Sequence, residues 1–340
     1  MKAIGIKTSL PISEENSLIQ FETEQPVPKG HDLLIKIKVV GINPVDYKVR
    51  QNSVQNQELD SPKILGWDAV GIVEAVGDKV TLFKTGDEVF YAGDITRPGS
   101  NAEYQLVDER IVGKKPNTIS DAEAAVMPLT SLTAWEVLFD RLKLTPGEGE
   151  GEGKTILIIS GAGGVGSIAT QLAKKLTNLT VIATASRPES QLWCQNMGAH
   201  HVVNHHNLIE EVHALGINTI NYILNFSGTS DHWENIIELI DPQGHICTIA
   251  ESLDNHINIG SFKSKSITLS YELMYTRSMY QTEDMIEQHH ILNKIAALLD
   301  NNKIKSTLNS TLDGFTTENF KEAHQKLESG KTIGKIAITF

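Results

Sequence analysis

Cysteine is almost absent from this chain: Cys194 and Cys247 are its only 2. Two thiols cannot build a disulfide framework, and a four-cysteine structural zinc site needs more than the chain owns. Histidine is scarce in the first half, where His31 is the one histidine before His200. The segment up to Ala199 therefore cannot supply a zinc site built from Cys and His. Long apolar runs are lacking as well. Stretches such as Thr155–Ile159 fall far short of the roughly 20 residues of a membrane-spanning helix. The N-terminus, Met1-Lys2-Ala3-Ile4-Gly5-Ile6, reads as a first strand, without the apolar run and small-residue cleavage site of a secretory signal. With so few thiols, a reducing, cytoplasmic setting is the expectation. Positive charge is in deficit, with 30 Lys and Arg against 42 Asp and Glu and a formal net charge of -12. That balance repels polyphosphate and argues against nucleic acid as a partner.

What the chain does contain is the composition of an ordinary globular protein: 40% hydrophobic and 21% charged residues. At 340 residues it exceeds the ceiling of about 250–300 for one hydrophobic core, so two domains are expected. The first third reads as irregular all-β: Leu33–Val40 alternates, Gly41-Ile42-Asn43-Pro44 reads as a turn, and glycine recurs at 66, 71, 77, 86 and 93. From Ser120 the signal becomes helical, with Ser120 an N-cap and Glu123 in the capping-box position, and a second helical stretch at Thr133–Leu142. The polar run Pro146–Gly153 reads as a solvated loop, because its alternating glutamates would repel phosphate. After it, strands and helices alternate. Candidate strands are Thr155–Ser160, Thr180–Ala185, His201–Asn204, Tyr222–Phe226, His245–Ala250 and Ser266–Tyr271, six in all, the pattern of a doubly wound parallel sheet. From about Thr282 a helical pattern runs through Leu299, followed by a short helix near Asn319–Leu327 and a strand at Ile333–Phe340. No internal repeat is present.

The strongest chemical signal is Ile159-Ser160-Gly161-Ala162-Gly163-Gly164-Val165-Gly166, set between a predicted strand and the amphipathic segment Val165–Leu176. Gly161 permits the tight turn, Gly163 lets the backbone approach a pyrophosphate, and Gly166 lets helix and sheet pack closely, while the helix N-terminus offers N–H groups to the anion. The competing reading, a structural glycine turn without nucleotide, is disfavoured by the strand–turn–helix context. An NAD-binding site would place an acid at the end of the next strand. Here Ser186 and Arg187 stand there, a hydroxyl donor and a guanidinium suited to a 2′-phosphate, which predicts NADPH. Against this, an arginine after a strand is often only a surface charge.

These residues carry a resemblance. The chain resembles the medium-chain dehydrogenase/reductase superfamily, in particular its zinc-independent quinone oxidoreductase-like branch, whose members are often labelled zinc-type alcohol dehydrogenase-like. The resemblance spans nearly the whole length and rests on Gly41–Tyr47, Pro62–Gly77, Thr85–Val89, Pro128–Trp135, Gly161–Gly166 and the tail Glu328–Ile336. It implies an α/β protein in which a Rossmann dinucleotide-binding domain, residues 126–272, is inserted in a GroES-like irregular β-barrel catalytic domain, residues 1–125 and 273–340. Zinc alcohol dehydrogenases of the same superfamily put Cys where this chain has Asn43, and His-Glu where it has Trp67-Asp68. Both exchanges remove a zinc ligand, so no metal is expected. The pairs His200-His201 and His205-His206 read as surface residues, since strand alternation would send neighbours to opposite faces.

The resemblance further implies that Asn43 and Thr133 line the nicotinamide and its ribose in the cleft between the domains, with Asp46 and Tyr47 nearby. Turn chemistry around Pro44 accounts for Asp46 equally well. Tyr47 is read as a hydrogen-bond donor or stacking wall, with the proton coming from solvent. Cofactor contacts carried over are Gly161, Gly163, Gly164, Val165, Gly166, Ser186, Arg187, Asn204, Phe226, Ser227, Ala250 and Lys335. NADPH-type members often carry Lys shortly after the Arg, where this chain has Ser190. Without a Lewis acid, a quinone or an α,β-unsaturated carbonyl is the expected hydride acceptor. The alternatives are a zinc-type alcohol dehydrogenase with unusual ligands and a non-catalytic NADPH-binding protein. The resemblance also implies a homodimer, paired through the last Rossmann strand.

Overall fold

The computed structural model describes residues 1–55, 57–147, 149–250 and 258–340. The chain divides into two compact units, Met1–Leu132 with Tyr275–Phe340, and Thr133–Met274.

The second unit is built on a parallel sheet of six strands: β1 (Thr155–Ile159), β2 (Thr180–Thr184), β3 (His201–Val203), β4 (Ile220–Asn225), β5 (Ile240–Thr248) and β6 (Thr268–Tyr271). Their spatial order is β3-β2-β1-β4-β5-β6, the doubly wound order whose direction reverses between β1 and β4. Continuous apolar runs make this possible, because a strand covered on both faces needs no polar alternation. All five residues of β1 are buried. On one face the helix Gly164–Leu176 buries Ile168, Ala169, Leu172 and Ala173. Leu157, Ile159, Ile182, Ile223 and Ile246 pack with Val212, Trp233, Ile236 and Leu239 from the helices Leu208–Ala214 and Thr229–Leu239. Each such side chain, fully buried, contributes about 1.5–3 kcal/mol. The polar run after Pro146 is turn and bend at its described residues, with Glu148 outside them.

The first unit carries two sheets. In the larger, a path runs from Leu308–Asp313 through Lys335–Thr339, Asp32–Ile42, Asp68–Val76 and Glu88–Tyr91 to Val112–Lys114, with Tyr104–Asp108 also paired to Asp32–Ile42. A smaller sheet joins Ile19–Glu22, Lys2–Ile6 and Lys63–Ile64. Short strands with register shifts at Leu34/Ile35 and Ile37/Val39 give the irregular β architecture expected of the GroES-like fold. Together the units make the α/β fold anticipated from the sequence. Among the described residues no helix is long and apolar enough to cross a membrane.

Three local expectations need correction. Asn43-Pro44 is no turn: it opens a helix, Pro44–Asn52, with Asn43 as N-cap and Pro44 in the first turn, where a missing N–H is harmless. The stretch Thr133–Leu142 is not one helix, because α-helix ends at Trp135 and a π-helical turn, Glu136–Arg141, follows. The fifth strand begins at Ile240, earlier than read, because Asp241-Pro242-Gln243-Gly244 forms an irregularity within it, with Gln243 at φ 64, that hides its start.

Candidate functional site

In the second unit the site grows from the turn after β1. Ser160 adopts φ 66, a left-handed conformation that a non-glycine residue enters only when its surroundings demand it. Its N–H donates to Thr184 Oγ1 at 3.0 Å, and the Gly161 N–H donates to the Thr184 carbonyl at 3.1 Å, so the loop is tied to the end of β2. The three glycines answer to different constraints. A Cβ on Gly166 would lie 2.2 Å from the Ser160 carbonyl oxygen, and one on Gly161 2.7 Å from Ala183 Cβ. Both are required by the close approach of helix and sheet. A Cβ on Gly163 would meet nothing nearer than 3.3 Å within the protein, so the absence of a side chain there leaves room on the outer face of the turn. The helix Gly164–Leu176 then starts with Gly163 as N-cap, and its first N–H groups, Gly164 and Val165 among them, have no preceding helical carbonyl. Loop and helix end together form a cradle that fits a pyrophosphate.

Ser186 and Arg187 follow β2 and are partly exposed. Arg187 is the N-cap of the helix Pro188–Asn196, and its guanidinium lies 3.5 Å from Glu189. Ser190 is buried in that cap: it accepts from the Arg187 N–H at 3.2 Å and donates to the Arg187 carbonyl at 2.8 Å. Ser190 thus serves as the reciprocal partner in this capping box. Asn204 caps the turn after β3, its Oδ1 accepting from His206 N–H at 3.0 Å and its own N–H held by Glu211 at 2.6 Å. Phe226 and Ser227 follow β4. The Ala250 carbonyl, after β5, accepts from Thr229 Oγ1 at 2.8 Å and Thr248 Oγ1 at 3.2 Å. All these positions lie at the carboxyl ends of strands, the edge where doubly wound sheets bind ligands.

Of the two histidine pairs, His200-His201 stands at the start of β3 and His205-His206 lies outside the strand. His205 and His206 fall in a 3-10 turn beyond β3, so their rings stand side by side with centroids 4.2 Å apart, and His205 meets His232 at 5.8 Å. Burial and the neighbouring imidazoles hold His205 and His232 below the usual histidine range. His200 accepts from the Val181 N–H at 2.9 Å. Among the described residues no three His, Cys, Asp or Glu side chains converge as a metal cage.

In the first unit the structure draws Asn43, Asp46 and Lys335 into one buried network and adds Asp68 to it. Lys335 Nζ donates to the Ile42 carbonyl at 2.9 Å, to Asp68 Oδ2 at 3.3 Å and to Asn43 Oδ1 in a short contact. Asn43 Nδ2 donates to Asp68 Oδ2 at 2.8 Å, and the Leu129 N–H donates to Asp68 Oδ1 at 2.7 Å. Every partner of Asp68 is thus a donor, the arrangement an ionised carboxylate needs. Burial still raises Asp68 and lowers Lys335 from their ordinary ranges, each opposed by the other's charge. Asp46 Oδ2 accepts the Asn43 N–H at 2.8 Å, while Oδ1 is buried without a partner among the described residues. Burial pushes the Asp46 carboxyl up to about 7, against the pull of the Asn43 N–H and Lys335. Tyr47 is half-buried on the same helix, where burial and Glu328 raise its hydroxyl above the usual range. Thr133 is buried on the helix Pro128–Trp135 and belongs to the second unit.

Sequence reasoning quoted Asp68 only as a lost metal ligand. The hint to its role was Lys335, a charge in an otherwise apolar terminal strand. The register that pairs Ile336 with Ile42 is what brings it beside Asn43.

The comparisons agree with this architecture. Residues 29–117 match the family description "Alcohol dehydrogenase GroES-like domain", and residues 164–288 match "Zinc-binding dehydrogenase". The chain is 44% identical over 339 residues to a zinc-type alcohol dehydrogenase-like protein of Staphylococcus aureus, covering 99% of each. A crystal structure from Rhizobium etli, provisionally described as a zinc-dependent alcohol dehydrogenase, superposes with a TM-score of 0.93 at 48% identity, covering 100% of this chain and 98% of that one. Human quinone oxidoreductase is 34% identical over 180 residues, 53% of this chain and 52% of the relative. The chain belongs to the medium-chain dehydrogenase/reductase superfamily, as an oxidoreductase of that type. The zinc in three of these descriptions does not fit this chain's residues. The donors at the corresponding place are Asn43 Oδ1, Asp68 Oδ2 and the Ile42 carbonyl, with no thiolate or imidazole, and an ammonium already stands at their focus.

Proposed function

We propose that this oxidoreductase is an NADPH-dependent reductase of a quinone or an α,β-unsaturated carbonyl, working without catalytic zinc. The observation that carries the reading is the polar centre of the first unit, where an ammonium and oxygen donors replace the thiolate and imidazole set of a zinc enzyme. A ketone or alcohol has no Lewis acid to polarise it there. A conjugated acceptor takes hydride at carbon, and its oxygen then needs only hydrogen-bond donors and a proton. The similarity to human quinone oxidoreductase supports this reading over about half of the chain.

When bound, NADPH would supply the hydride. The chain's residues divide the remaining work. Gly163, Gly164, Val165 and the helix N–H groups hold the pyrophosphate, with Gly161 and Gly166 fixing the turn. Ser186 and Arg187 take the 2′-phosphate by charge-assisted bonds. Asn204, Phe226, Ser227 and Ala250 flank the cofactor at the strand ends, and Asn43 and Thr133 serve its nicotinamide half. Tyr47 donates a hydrogen bond to the acceptor or walls it, and solvent provides the proton. Residues 126–272 are the cofactor-binding domain of this scheme, and residues 1–125 and 273–340 the catalytic one.

The test is a panel of quinones, enones and aldehydes assayed for NADPH oxidation, with zinc measured on the same sample. Turnover of a conjugated acceptor with well under one zinc per chain is expected. Stoichiometric zinc with alcohol oxidation would overturn the reading, as would tight NADPH binding with no turnover of any acceptor. In the same assays Arg187→Ala should raise the KM for NADPH by about tenfold or more while leaving that for NADH nearly unchanged. Equal effects on both would remove the 2′-phosphate role.

A further inference from the structure

We propose that Lys335 is a positioning residue: its buried ammonium, standing where a zinc enzyme would hold metal, locks the side-chain amide of Asn43. The catalytic consequence rests on the reductase reading above; the clamp itself does not.

The argument begins with donor counting. An ammonium has three N–H donors and no acceptor. Those of Lys335 meet the Ile42 carbonyl, Asn43 Oδ1 and Asp68 Oδ2, so none remains for a cofactor phosphate. The side chain is buried, with 3% of its surface exposed. The cofactor-contact role anticipated for Lys335 therefore gives way to an internal one.

The amide of Asn43 is specified from both ends. Facing an ammonium, which only donates, it must present its oxygen; facing the Asp68 carboxylate, which only accepts, it must present its nitrogen. Both conditions hold at once. Asp68 is in turn anchored by the Leu129 N–H, and the Asn43 main chain by Asp46 Oδ2. Asn43 is thus fixed at backbone and side chain by partners from its own helix and from two distant segments, the support that a precisely placed polar group requires. A strand 292 residues away in sequence holds Asn43 Oδ1 by one hydrogen bond and is itself held there by two more, to the Ile42 carbonyl and Asp68 Oδ2.

The experiment compares the full-length wild type with Lys335→Met, which keeps the stem and removes the charge, and with Asp68→Asn/Lys335→Met, which removes both charges. NADPH affinity is read by fluorescence titration, kcat and KM with the best acceptor of the panel, and stability by urea midpoint. Lys335→Met should lower kcat by about 100-fold, the scale expected when a positioned group is released, with NADPH Kd within about threefold of wild type. The double variant should regain much of the lost stability but not the lost kcat, which separates positioning from folding. A Kd weakened tenfold or more with unchanged kcat would make Lys335 a cofactor contact and overturn the proposal. So would wild-type kcat in the double variant. If the wild type reduces no quinone or enone, the function reading fails alone. The clamp is then judged by urea midpoints of Lys335→Met, Asn43→Ala and their combination: non-additive shifts support it, and additive shifts overturn it.

Discussion

Two buried titratable residues of the first unit make its stability depend on pH in opposite directions. His324 is fully buried, neither ring nitrogen has a hydrogen-bond partner among the described residues, and the guanidinium of Arg50 lies nearby. Burial, seconded by that charge, drops its imidazole to about 3. Between that value and the ordinary 6.5, the unfolded chain binds a proton that the folded chain refuses, so stability rises with pH and is lost as pH falls below 6.5. From pH 6.5 to 5 the loss from this one group is on the order of 2 kcal/mol. Asp46 acts oppositely: the folded chain retains its proton to about 7, so its contribution falls as pH rises from 3.8 through 7. Urea denaturation of the wild type and a His324 variant at pH 7 and pH 5 isolates His324, because the opposite change from Asp46 is common to both proteins. His324→Leu should lose less stability than wild type on acidification, and parallel losses would contradict the assignment. Nothing in the sequence marked His324, because its neutral burial depends on the helix Thr317–Glu328 packing against the helix Pro44–Asn52.

Among the elements, the helix that follows β1 is the most sharply specified by its sequence. Its strand, turn and amphipathic face were all legible because each is a local pattern: a short apolar run, a glycine spacing, a 3.6-residue period. The structure adds which glycine answers to which contact. Gly166→Ala places a methyl 2.2 Å from the Ser160 carbonyl oxygen, a backbone atom that cannot swing aside. We expect it to displace the helix start, lower stability by about 1–3 kcal/mol and weaken NADPH binding by at least tenfold. Calorimetry and fluorescence titration check both. A stable variant with wild-type affinity would show that the turn tolerates a side chain. The helix Pro44–Asn52 was misread by the same local logic. Asn-Pro favours a turn or an N-cap alike, and only the partners of Asn43 in the folded chain choose between them.

For the whole molecule, β6 ends the parallel sheet with an open edge. Its Tyr271 is 58% exposed, and Leu273 just beyond it 51%. An edge with exposed apolar side chains and no neighbouring strand among the described residues is a template for pairing with another chain. We therefore expect a homodimer joined through β6, with a mass near twice 37.4 kDa by light scattering. A lysine at Tyr271 should shift the balance toward monomer by placing a charge at the joint; a monomeric wild type would remove the proposal.

The sequence by itself determined the class of this protein. Periodicity and glycine spacing act over a few residues, so they define the β1 turn and the order of strands and helices, while the scarcity of cysteine and histidine before His200 opposes zinc. The tertiary structure decided the site of the first unit. Asn43, Asp68, Leu129 and Lys335 belong to distant segments, and their hydrogen bonds exist only once strand register has brought them together. Register is set by which faces are buried across the whole sheet, a collective property that no local window of the chain contains.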